Sequence, residues 1–133
     1  MKAAEAQTFA FRSLAETLFN ALQHEEALNL SLSAEHQHYA RFNRGQLRQI
    51  TEVEQQRVRM EFIDQGRRIA CSTDLTSNLD ADKTRLLGWM GRARSECRIL
   101  PEDPHVSWPK DCGQSCAHHE LSELPKIFDL CRK

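Results

Sequence analysis

Residues 57–74, RVRMEFIDQGRRIACSTD, decide the fold class. Val58, Met60 and Phe62 alternate with Arg57, Arg59, Glu61 and Ile63, the period of a strand that turns one face to a core and the other to water. Asp64-Gln65-Gly66-Arg67 interrupts the pattern with a glycine where a tight turn needs a positive φ, and Ile69 and Cys71 then resume the inward alternation. Two strands joined by so short a turn form an antiparallel hairpin. Leu47 and Ile50 carry the first of them back to Gln46, which makes it a long strand.

Downstream, Ser72-Thr73-Asp74 leads to Ser77-Asn78-Leu79-Asp80, where Ser77 and Asp80 have near-capping-box spacing. Leu86, Met90, Ala93 and Cys97 follow at intervals of four, three and four, which predicts a helix over about 79–98. Pro101, Pro104 and Pro109 end it and make LPEDPHVSWPKD an extended linker without regular pairing. From Ala117 onward, Leu121, Leu124, Phe128 and Cys131 form a rough stripe interrupted by Pro125, consistent with a short C-terminal helix.

Upstream, Leu28, Leu30 and Leu32 alternate with Asn29, Ser31 and Ser33, which reads as another strand. The polar stretch Ala34–Gln37 reads as a hairpin connection to a further strand through Tyr39–Asn43, and Arg44-Gly45 supplies the next turn. Phe11, Leu14, Leu18 and Leu22, with Ala15 and Phe19 beside them, predict an amphipathic helix over about 7–25. The resulting order predicts an α+β fold: an antiparallel sheet of about four strands, flanked on one face by an N-terminal and a later helix. Residues 1–100 form the expected domain, and 101–133 a proline-containing linker and short helix.

The balance of 18 Lys and Arg against 19 Asp and Glu, a formal charge of -1, lacks the basic excess of a nucleic-acid-binding surface. No apolar run is long enough to cross a membrane, and the N-terminus lacks a signal peptide's uninterrupted apolar core. A chain of 133 residues is long enough for one core without disulfides. Its five cysteines, odd in number and unevenly spread, read as mostly free thiols in the cytoplasm.

Cys112, Cys116, His118 and His119 gather two thiols and two imidazoles within eight residues, the ligand types that zinc prefers. Their Cys-x3-Cys spacing with an adjacent His pair matches no usual zinc site, so they form a weak candidate beside the reading of an incidental Cys/His tail. His119-Glu120 begins like a metalloprotease helix, but Glu123 and Leu124 stand where a second histidine is needed. Ser72, Ser77 and Ser107 lack a glycine-elbow context, and Cys71 and Cys97 fall on inward faces, where a thiol is inert. The arginines at 41, 44, 48, 57, 59, 67 and 68 read as a solvated sheet face, although a strand edge of this kind can also accept an extended peptide.

Three phrases recur together: YARFNRGQLRQ at 39–49, VRMEFIDQGRRIACSTDL at 58–75, and LPEDP at 100–104 after a helix carrying Ala93 and Arg94. Over roughly 75 residues this resembles the N-terminal domain of the TldD/PmbA family, the modulators of DNA gyrase that act as zinc-dependent peptidases. The landmarks are Arg41 and Asn43, Gln49, Gly66, Ser72-Thr73-Asp74 and the Pro-Glu-Asp-Pro exit. Arg68-Ile69-Ala70-Cys71 departs from the glycine-plus-aromatic pattern such proteins carry after the hairpin.

The resemblance implies a noncatalytic domain that helps to enclose a peptide substrate and to assemble subunits. Zinc would belong to a later catalytic domain bearing the HExxxH motif, with no catalytic residue and no cofactor in this chain. Arg41, Asn43 and Gln49 would touch a peptide or unfolded protein segment, and a homo- or hetero-dimer with a family member is expected, with neither nucleic acid nor membrane as a partner. The alternative is a stand-alone protein-interaction module without enzymatic activity.

Overall fold

The computed structural model describes residues 3–76 and 78–107, with side chains from Gln7 onward. Its elements are α1 (Ala3–Asn20), β1 (Ala27–Asn43), β2 (Gln46–Asp64), β3 (Arg67–Asp74) and α2 (Leu79–Cys97). The strands form one antiparallel sheet in the order β1-β2-β3, so the fold is α+β as the alternation requires.

The sheet has three strands rather than about four, because β1 runs unbroken through Ala34–Gln37. That stretch holds no Gly, Pro, Asn or Asp to supply turn geometry. The only non-glycine residues with positive φ among those described are His24, Arg44 and Gln65, all outside it. Both real turns pair a left-handed residue with a left-handed glycine: Arg44 and Gly45 at φ 51 and 72, Gln65 and Gly66 at φ 47 and 71. This is the backbone of two-residue turns whose twist matches that of the strands they join.

α1 begins earlier and ends earlier than the stripe predicts. Past Asn20 the amides of Ala21 and Leu22 turn back to the carbonyls of Leu18 and Phe19, and His24 enters the left-handed region at φ 42. Phe19, read as part of the apolar stripe, is about half exposed. The cap of α2 is Asn78, whose side chain accepts from the Ala81 amide at 3.1 Å, with Asp80 and Asp82 in the first turn favouring the positive end of the helix dipole. Ser77, the Cys112, Cys116, His118 and His119 group, and the C-terminal helix expected from Ala117 lie outside the described residues.

The described chain divides into two units, one of residues 3–34 with 55–107, the other of residues 35–54. The first holds the core. Val58, Met60 and Phe62 on β2 are fully buried, and Ile69 and Cys71 on β3 stand opposite Phe62 and Met60. Leu28 of β1, Leu14 and Leu18 of α1, and Leu86, Met90, Ala93 and Cys97 of α2 complete a single cluster, so both helices cover the same sheet face. Each large apolar side chain removed from water here contributes about 1.5–3 kcal/mol.

Polar ties then fix the helices in place. Arg94 of α2 donates to both carboxylate oxygens of Glu26, at 2.6 and 2.8 Å, and to the Ala21 carbonyl at 2.6 Å. Lys83 Nζ donates to Ser13 Oγ at 2.9 Å, linking α2 to α1. After α2 the chain returns to the β2–β3 turn: the Asp103 amide donates to the Gly66 carbonyl, while Arg67 donates to the Leu100 carbonyl and pairs with Glu102.

Candidate functional site

β3 pairs only with Arg57–Asp64, so within residues 35–54 the described sheet is a two-stranded ribbon of β1 and β2. Every side chain in it is exposed apart from those of Ala40 and Thr51, which are half-buried. Among the exposed ones are five large apolar groups: Tyr39, Phe42, Leu47, Ile50 and Val53. A folded chain rarely leaves so many on one short hairpin without a partner surface. Unpaired strand edges add backbone donors and acceptors that can take another strand.

All three residues expected to contact a peptide lie on this ribbon. Arg41 and Asn43, two apart in β1, share one face of that strand, and both are exposed. Gln49 lies on β2, and its amide donates to Thr51 Oγ1 at 3.0 Å. Among the described residues no hydrogen bond joins the three, so they belong to one exposed element without forming a built pocket.

The ribbon also holds a group that the turn reading of Ala34–Gln37 concealed. His36 and His38 are two apart on β1 and therefore point to the same side, with ring centroids 4.6 Å apart. Glu52 of β2 meets them: its Oε1 lies 2.6 Å from His36 Nε2. One ligand atom from each of the three falls within 4.8 Å of the others. The legible signal was His-x-His, which converges only if the segment is a strand.

In the first unit, a cleft of about 240 Å³ opens beside α1, lined by Phe11, Leu14, Leu32, Leu75 and Leu79 with Asp82 at its polar side. Asp82 is buried but fully engaged: the Thr76 amide donates to both of its oxygens, and Arg85 donates to Oδ1 at 2.8 Å. It pins the loop ahead of α2.

Burial pushes the thiols of Cys71 and Cys97 above their ordinary values, which leaves them protonated and poorly nucleophilic. The perturbed carboxylates are all arginine-bound. Arg94 holds Glu26 below the usual carboxylate range, Arg59 then Asn29 lower Glu61, and Arg57 then Gln55 lower Asp74, all by hydrogen bonding to the charged form. None is poised as a general acid at neutral pH.

No family profile, no curated protein and no solved structure matches this chain. The geometry itself offers an exposed ribbon suited to binding and a small apolar cleft. No helix among the described residues is long and apolar enough to cross a membrane.

Proposed function

We propose that the chain is a noncatalytic α+β binding and assembly domain, similar to the N-terminal domain of TldD/PmbA peptidases, that engages a peptide or unfolded protein segment. The observation that carries this is the ribbon at residues 35–54, with exposed Tyr39, Phe42, Leu47, Ile50 and Val53 beside Arg41, Asn43 and Gln49. Apolar side chains on a hairpin with open edges suit an extended polypeptide, which supplies backbone partners and alternating side chains together. The family reading rests on the sequence resemblance, whose landmarks include Gly66 and the exit at Pro101-Glu102-Asp103-Pro104. Zinc would serve the catalytic domain of such a peptidase. A second copy or a related subunit joins through the same ribbon, in the cytoplasm, where the cysteines stay reduced.

Hydrogen exchange tests the binding role. Adding a carboxymethylated, permanently unfolded protein should slow exchange across residues 35–54, and a Phe42→Ser, Ile50→Ser variant should lose that protection while keeping its core. Unchanged exchange in the ribbon, or protection confined to the cleft beside α1, would reject this reading. The intact mass of the protein in native extract separates a longer peptidase-type protein from the stand-alone interaction module, which would run at 15.4 kDa.

A further inference from the structure

We infer that His36, His38 and Glu52 form a site for a divalent transition-metal ion of the zinc class, which bridges β1 and β2 within the ribbon. This does not depend on the peptide-binding reading. Alternate residues of a strand lie about 6.8 Å apart on one face, close enough for two imidazoles to converge on one ion. In this chain the rings already stand 4.6 Å apart, and the carboxylate comes from the neighbouring strand.

Zinc binds imidazole nitrogen and carboxylate oxygen at about 2.0–2.2 Å, which sets tetrahedral ligand atoms roughly 3.3 Å apart. The three ligand atoms are within 4.8 Å of one another and the closest pair is at 2.6 Å, so small side-chain rotations reach that spacing from either side. All three side chains are exposed. Two imidazoles and one carboxylate favour zinc, copper or nickel over calcium or magnesium, which prefer oxygen throughout. Three protein ligands leave a coordination position open to water or to a side chain of a bound partner. The ion replaces the His36–Glu52 hydrogen bond with a stronger link between two strands whose described side chains are almost all exposed in this stretch.

The test is calorimetric titration of zinc chloride into the untagged 133-residue chain and into its Cys112→Ser, Cys116→Ser variant, which removes both thiols of the other cluster. We expect one equivalent of zinc to bind the serine variant. Adding His36→Ala or His38→Ala to it should weaken binding at least about tenfold, since even groups that only orient a ligand cost about 10- to 100-fold when lost. The positions are exposed, so an unchanged far-ultraviolet circular dichroism spectrum will show that these variants fold. Failure of the serine variant to bind zinc, or equal affinity with and without the histidines, would overturn the assignment.

Discussion

Arg94 shows how much one side chain can hold. Its side chain is only 20% exposed and that of Glu26 only 8%, and together with the Ala21 carbonyl they join α2 to the connection between α1 and β1. Nothing local in the sequence marks the pair, since the partners are 68 residues apart. Removing the arginine strands a nearly buried carboxylate, so Arg94→Met should lower stability by about 2–3 kcal/mol in urea denaturation at neutral pH. The pH dependence has a definite sign. Arg94 depresses the carboxyl of Glu26 in the folded state, so its contribution is complete above the ordinary carboxylate range and is lost as acidification carries pH through the folded value. The wild type should therefore lose more stability than Arg94→Met between neutral pH and the acid range. Equal losses would show that the pair adds nothing.

Among the elements, the two turns allow a controlled comparison. Gly45 and Gly66 have nearly the same φ, 72 and 71, and a Cβ at either position would meet nothing within 4 Å. An alanine at each position therefore carries the same conformational cost, about 1 kcal/mol, with no clash added. Their settings differ. Gly66 closes the hairpin that brings Ile69 and Cys71 against Phe62 and Met60, and its carbonyl accepts from Asp103, so Gly66→Ala should lower global stability by about 1 kcal/mol. Gly45 closes the exposed ribbon, so Gly45→Ala should leave the urea midpoint nearly unchanged while speeding exchange in residues 35–54. A matching global loss from both would mean that ribbon and core unfold together.

The same elements show what was legible. The alternation at 58–62, the Gly66 turn and the Leu86, Met90, Ala93, Cys97 stripe were readable because each is a local periodicity with one allowed geometry. Composition alone divides β1, because a polar run of Ala, Glu, His and Gln resembles a loop although it holds no turn-forming residue, and a loop there separates His36 from His38. Arg41, Asn43 and Gln49 were placed on exposed strands, but whether they converge depends on register, which no local pattern encodes.

For the whole molecule, burial is concentrated in one unit: the inward residues of β2 and the facing stripe of α2 are sealed, while residues 35–54 bury almost nothing. Amides of Val58–Phe62 should therefore exchange only through global unfolding, and those of residues 35–54 through local opening many times faster. Equal protection of both in the isolated chain would mean that another surface covers the ribbon.

The amino-acid sequence by itself determined the α+β class, the hairpin at Gly66 and the buried face of α2. Strand alternation, helical spacing and a glycine at positive φ are properties of neighbouring residues. Tertiary structure alone decided that β1 runs through Ala34–Gln37, that Glu52 meets His36 and His38, and that Arg94 closes on Glu26. Each of these depends on residues far apart in the chain. Their geometry exists only once β2 hydrogen-bonds alongside β1 and the helices close over the sheet.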